Sequence, residues 1–160
     1  MNAWFAAATA PSLVDRAVIV MVQHWTAHRG VSPSARLARV VLKLLGVDWR
    51  PKEIGPRLLM PHATTGSVVH WTTRIGADVT VFHGVTIGRA DPLTGQDDAD
   101  ADEGVVLEDG VLLGANAVLL YRRGQTLRVG QGTTVGACSV LLESTGTNEV
   151  WAGSPAVRIR

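Results

Sequence analysis

An aliphatic side chain recurs at every sixth position through most of this chain. Val69, Ile75, Val81 and Ile87 are spaced that way, as are Leu107, Leu113 and Leu119, and again Val129, Val135 and Leu141. Glycine follows the aliphatic residue in Ile75-Gly76, Ile87-Gly88, Leu113-Gly114, Val129-Gly130 and Val135-Gly136. An α-helix brings a side chain back to one face every 3.6 residues and a strand every second residue, so neither explains a period of six. A coil of short parallel strands does, each hexapeptide supplying one strand and one corner. The position four after each aliphatic residue should then also point inward, where a narrow coil admits only small or β-branched side chains. Thr73, Val79, Val85, Val111, Ala117, Thr133 and Ser139 satisfy that requirement, and a β-sandwich would show alternation by two instead.

At 160 residues the chain holds one main domain. Its formal charge of +1 comes from scattered residues, a distribution that provides no groove for nucleic acid. A single cysteine, Cys138, excludes an intrachain disulfide framework and is compatible with a reducing cytosol, so cytoplasmic is the default expectation. The apolar stretch Ala17 to Val22 falls far short of the roughly 20 residues a membrane span needs. No small-residue cleavage site follows it, so neither a span nor a signal peptide is expected.

Ahead of the repeats lie two helical patterns. Val14, Ala17, Val18, Met21, Val22 and Trp25 recur at helix spacing over residues 12–28 behind Ser12, a suitable N-cap, with Gly30 as the end. A second helix begins at Ser32-Pro33, runs through Leu37, Val40, Val41, Leu44 and Leu45, and stops at Gly46. These helices carry more apolar surface than a pair can hide, so they should dock on the coil or on a neighbouring subunit. The expected organisation is a helical segment over 1–47 and a hexapeptide coil over 48–160.

Interruptions of the beat become loops on one face of a solenoid. The largest, Ala90 to Glu103, reads ADPLTGQDDADADE, with six carboxylates and no cation, so it should be solvated and project. Tyr121 to Thr126 adds four residues to its interval, and a slip occurs at PHATTG, between Met60 and Val69. A coil with flat sheet faces and exposed ends gains by covering a face with copies of itself, and a trimer is expected.

From about Asp48 to Arg160 the chain resembles the serine acetyltransferase-like branch of the hexapeptide acyltransferases. The resemblance rests on IGPRLLMPHATTGSVVHWTTRIGADVTVFHGVTIG, LLGANAVLL, VGQGTTVGACSVLL and VWAGSPAVRI, in that order. It implies a left-handed parallel β-helix, usually trimeric, with acetyl-coenzyme A as donor and a hydroxyl group as acceptor. It also implies that His62, matching the histidine of the family's HATG segment, is the general base. Independently, a hydroxyl is a poor nucleophile until its proton is removed, and an imidazole titrating near neutrality suits that task.

The resemblance places an acidic residue on the preceding coil to orient that histidine, and Asp48 lies near the matching place once a one-residue deletion is allowed. Asp48 equally reads as the residue that closes the helical segment after Gly46. Matching the family puts Gly88, Ala115 and Ala137 along the coenzyme track. Arg158 and Arg160 suit its phosphates, or form a solvated tail. His83, two after Val81, faces either the acceptor or ordinary structure, and His70 either the acceptor or a subunit contact. Two departures from serine acetyltransferases stand out: Pro61 occupies the place of an aspartate before the histidine, and the acidic segment replaces a loop carrying an arginine and a second histidine. An amino-acid carboxylate would meet like charge there, which favours a sugar or other small-molecule hydroxyl as acceptor, with Arg89 left as a clamp.

Other readings stay open at this point. Serine acetyltransferase itself is the nearest. A γ-type carbonic anhydrase-like metalloenzyme shares the coil, although His62, His70 and His83 lack that family's close histidine pair, and no metal is expected. His24 and His28, four apart on a helix, have no third ligand in the sequence. A catalytically silent trimeric scaffold is the third class. Cys138 sits at a structural repeat position and is not expected to be a nucleophile.

Overall fold

The computed structural model describes residues 11–28, 31–91 and 103–160. Gly30, the expected end of the first helix, and positions 92–102 of the acidic segment lie outside the described residues. From Asp48 onward the chain winds through three parallel sheets. The first stacks Asp48–Trp49, Val68–Val69, Thr86–Arg89, Val118–Tyr121 and Val140–Leu141. The second stacks Glu53–Ile54, Arg74–Ile75, Gly104–Leu107 and Thr126–Val129. The third contains Thr80–Val81, Leu112–Leu113, Thr134–Val135 and Val150–Gly153, closed by the antiparallel strand Ala156–Arg158. The chain is a left-handed parallel β-helix of hexapeptide repeats behind two helices.

The six-residue beat sets the register. Val69 lies beside Ile87, Ile87 beside Leu119 and Leu119 beside Leu141. Ile75 pairs with Leu107 and Leu107 with Val129, while Val81, Leu113, Val135 and Trp151 form the third column. None of the repeat aliphatics is more than 3% exposed, and Thr73, Val79, Val85, Val111, Ala117, Thr133 and Ser139 are all at 0%. Each stacked Leu or Val contributes about 1.5–3 kcal/mol by leaving water. Backbone amides meanwhile bond to the next coil, as in Val68 N–H to Val85 O at 2.9 Å, Thr86 to Ala117 at 2.9 Å and Val118 to Ser139 at 2.8 Å. The interruption at 121–126 is accommodated by extending the strands on either side of a short turn to four residues each.

Helices α1 (Leu13–His28) and α2 (Pro33–Leu44) form at the expected places. Their burial differs from the expected stripe. In α1 the packed face is Asp15, Val18, Val22 and Trp25, and in α2 it is Ala35, Ala38 and Leu42. Leu37 and Leu44 are 65% and 81% exposed, and Val14 and Val40 also face outward. The reason is steric: two helices approach closely where Ala35 and Ala38 leave room for the larger side chains of α1. The larger apolar residues of α2 are therefore left on the outside. α1 also packs on the turn at 61–64, which joins the helical segment to the coil.

Leu113→Ala should destabilise the protein by about 2–5 kcal/mol through the cavity it opens in the third column. Leu37→Ala should change stability by less than about 0.5 kcal/mol. Urea unfolding of both variants checks the pair.

Candidate active site

The ladder sorts the candidate residues onto two different corners of the coil. At the corner between the third and first sheets, residues 61–67, 82–85, 114–117 and 136–139 stack in order. Gly84 N–H donates to Thr65 O at 3.0 Å, Asn116 N–H to His83 O at 2.9 Å and Cys138 N–H to Ala115 O at 2.8 Å. Thr65, His83, Ala115 and Ala137 thus share one column, and His62 adjoins it from the irregular turn that precedes Thr65. The exposed His62 ring stands 5.5 Å from the His83 ring, centroid to centroid, edge on at 83°, with the Phe82 ring at 6.4 Å. His83 Nδ1 is buried and has no hydrogen-bond partner among the described residues. A buried ring nitrogen left unpaired is costly.

His62 owes its position to an unusual turn. His62 (φ 60°, ψ 31°), Ala63 (φ 52°, ψ 18°) and Thr64 (φ 46°) are all in the left-handed region, which disfavours residues with a Cβ by roughly 1–2 kcal/mol each. Several bonds hold it. Ala63 N–H donates to Asp15 Oδ1 at 2.6 Å, Ser67 N–H to Thr64 O at 3.1 Å, and the Ser67 hydroxyl also donates to Thr64 O. Trp49 Nε1 then donates to Ser67 Oγ at 2.8 Å, anchoring the base of the turn in the core.

Asp15 is the site residue that sequence reasoning missed. It lies near the start of α1 and is 7% exposed. Its Oδ2 accepts from Ser12 N–H at 2.7 Å, while Ser12 Oγ accepts from Asp15 N–H at 3.1 Å, a reciprocal cap. Burial pushes the Asp15 carboxyl upward. The hydrogen bonds from Ser12 and Ala63, together with the field of His62, outweigh burial and hold it below the usual carboxylate range. The signal was present: Ser-x-x-Asp ahead of an apolar run is a capping pattern, and an acid on a helix's packed face requires a partner.

Asp48 keeps other company. Its carboxylate faces Lys43 at 3.6 Å and Arg50 at 3.7 Å, and no hydrogen bond to His62 exists among the described residues. The expectation that Asp48 orients the His62 ring is therefore corrected. Strand pairing commits Asp48 to the register of Val68, and the carboxylate bonded to the His62 turn is Asp15.

His70 and Arg89 occupy the other end of the first-sheet strands, at the corner leading to the second sheet. His70 Nδ1 lies 2.9 Å from Thr72 Oγ1 and 3.3 Å from the buried Tyr121 hydroxyl, and Arg89 is in register with Tyr121. Within one protomer they are not gathered with His62. Arg158 Nη1 donates to Glu149 Oε1 at 2.8 Å beside Trp151, whose Nε1 donates to Glu149 Oε2 at 2.8 Å. That guanidinium is thus engaged at the closing end of the coil. Arg160 pairs through its backbone with Val150. His24 and His28 stack at 4.7 Å, with His24 Nε2 at 2.9 Å from Ser34 Oγ, and no group of three metal-ligating side chains occurs among the described residues. Cys138 is free and exposed.

Two glycines of this region differ in kind. A Cβ on Gly84 would sit at φ +69° and press on Asn116 Oδ1, the movable end of a side chain, so a substitution there is strained chiefly through the backbone. A Cβ on Gly88 would touch only Leu120 Cδ2, at 3.9 Å. Among the described residues nothing requires Gly88 to be glycine.

No family model matches the chain. It is 33% identical over 134 residues to a serine acetyltransferase of Mycobacterium tuberculosis, spanning 82% of this chain and 54% of that one. Serine acetyltransferase 2 of Arabidopsis thaliana is 33% identical over 137 residues, spanning 85% and 39%. The chain thus spans about half or less of the length of these relatives. Among solved structures it is similar to the Brucella abortus serine acetyltransferase in complex with coenzyme A, with a TM-score of 0.70, 30% identity, and 88% of this chain and 54% of that chain covered. The Neisseria gonorrhoeae enzyme in complex with serine gives a TM-score of 0.66 at 25% identity, over 90% and 54%.

Gly84→Ala should cost more than about 1 kcal/mol because its positive φ strains a residue with a Cβ, whereas Gly88→Ala should leave the melting temperature nearly unchanged; differential scanning calorimetry compares them. Asp15 has a folded-state pKa below its ordinary 3.8, so its stabilisation is present above that value and fades as pH falls through the lower folded value. Asp15→Asn should accordingly be less stable than the parent near neutrality, with the gap narrowing in acid, as measured by urea unfolding across pH.

Proposed function

We propose that this chain, serine acetyltransferase-like in sequence and in its left-handed hexapeptide coil, is an acetyl-coenzyme A-dependent O-acetyltransferase with His62 as general base. The carrying observation is the exposed His62 ring set edge on to His83 on a corner column that continues through Ala115 and Ala137. A hydroxyl placed between the two rings loses its proton to His62 as its oxygen attacks the thioester carbonyl. Collapse of the resulting oxyanion breaks the carbon–sulfur bond, and the proton leaves with the thiolate. His83 orients the acceptor. Asp48 acts on this site only through the Lys43 and Arg50 pairs that hold the first strand.

The donor lies along the corner of Ala115 and Ala137, its extended amides pairing with backbone there, and reaches Gly88 farther along the first-sheet strand, beside Leu120. The open space beside Gly88 supports this track. Arg158 reaches the coenzyme phosphates only by giving up Glu149. The working unit is a homotrimer. Val68 and Leu142 are exposed on the outer face of the first sheet, with Val118, Leu120 and Val140 half-buried beside them, an apolar surface suited to a second copy. In such an assembly His70 and Arg89 of one subunit approach the His62 corner of the next. No helix among the described residues is long and apolar enough to cross a membrane. A free, exposed Cys138 suits the cytoplasm.

The acceptor is a small-molecule or sugar hydroxyl without a free carboxylate, a reading supported by the six carboxylates and no cation in the sequence 90–103, where serine acetyltransferases carry a cationic loop. Serine is the second reading, favoured by the similarity to serine acetyltransferases. Coenzyme A release measured over serine, homoserine, sugars and sugar nucleotides separates the two. His62→Ala should lower kcat by about 10²- to 10⁴-fold, and undiminished turnover in that variant removes the mechanism. His83→Ala should raise KM for the acceptor while leaving KM for acetyl-coenzyme A unchanged.

A further inference from the structure

We infer that Asp15 is the positioning residue for His62, a carboxylate delivered by the helical segment to hold the catalytic turn of the coil. The inference rests on the reading of His62 as general base. Four observations converge on it. The turn at 61–64 departs from the coil's regular path through three successive left-handed residues, none of them glycine. That backbone must be held from outside, since nothing in the sequence of the turn favours it. The only side chain among the described residues that accepts a hydrogen bond from its backbone amides is Asp15, through Ala63 N–H at 2.6 Å. That amide belongs to the residue next to His62, so the bond sets where the His62 Cα, and with it the ring, projects.

The carboxylate is itself immobilised. Its second oxygen is taken by Ser12 N–H at 2.7 Å, and it is almost fully buried on the packed face of α1 beside Val18 and Val22. In a capping box the acid three residues into the helix reaches back to the N-cap amide, as Asp15 does to Ser12. Here the same acid is turned inward and spans 48 residues of sequence to reach the turn. The helical segment therefore supplies more than a cover for one end of the coil. It fixes the direction of the base, and Asp48, which the register of the first sheet pulls toward Lys43 and Arg50, does not.

Asp15→Ala, Asp15→Asn, His62→Ala and the Asp15→Ala/His62→Ala double variant test the inference. Coenzyme A release is the first readout, and hydrogen exchange at the Ala63 amide is the second. Asp15→Ala should lower kcat on the order of 10²-fold, the effect of an ångström-scale misplacement, with KM for acetyl-coenzyme A unchanged and Ala63 exchange accelerated while Leu113 and Leu119 stay protected. Asp15→Asn, which keeps an oxygen for Ala63 N–H, should recover most of the rate. In the His62→Ala background the Asp15 substitution should cause no further loss, because residues acting as a unit are not additive. Losses that multiply in the double variant, a rate equal to the parent in Asp15→Ala, or a loss expressed in KM for the coenzyme would overturn it. Should the parent release no coenzyme A with any acceptor, the acetyltransferase reading fails by itself. Ala63 exchange then decides the positioning role: acceleration in Asp15→Ala supports it and unchanged exchange ends it.

Discussion

The structure depends on one constraint: parallel strands in successive coils stand in register, so whatever points inward in one coil must stack on what points inward in the next. Val69, Ile87, Leu119 and Leu141 meet this demand on one side, and Val81, Leu113 and Val135 on another. Backbone bonding and side-chain burial reinforce each other, since one shift of register would unpair both. The position four residues later fills the remaining space with threonine, valine, alanine or serine, all fully buried.

The same constraint places the candidate site at the corners. Strands are committed to the ladder on both edges and their inward residues to the core, so the corners are where side chains are free to vary. Stacked corners form a column, and that column sets His83, Ala115 and Ala137 in line. His62 joins it from a segment that does not follow the beat, where the slip between Met60 and Val69 is taken up by a left-handed turn. A regular corner would present its side chain at a spacing set by the coil. The irregular one presents His62 edge on to His83, at the expense of backbone strain that Asp15 and Ser67 offset through hydrogen bonds.

The helical segment is tied to this arrangement. Its inner face is polar at one point, Asp15, and apolar elsewhere, and the polar point meets the strained turn. Its outer face keeps Leu37, Val40 and Leu44 in contact with solvent in the single chain. Small alanines decided which face of α2 packs, because close helix approach favours Ala35 and Ala38 over the larger residues that dominate the apolar count.

The sequence by itself determined the coil, its register, the inward positions and the two helices, because each is a local pattern repeated often enough to be unambiguous. It also singled out His62, through the motif around it, while Ala115 and Ala137 came from the resemblance to the family rather than from the spacing. Only the tertiary structure decided which carboxylate reaches the His62 turn. Asp48 looked suitable by its spacing, yet strand register turns it toward Lys43 and Arg50, while Asp15 is brought in by the packing of α1. It also decided that His70 and Arg89 stand at a different corner from His62 and that Arg158 is engaged by Glu149. Periodicity reports what recurs along the chain. Contacts between a helix and a turn far apart in sequence arise from how whole elements pack, and no repeat encodes them.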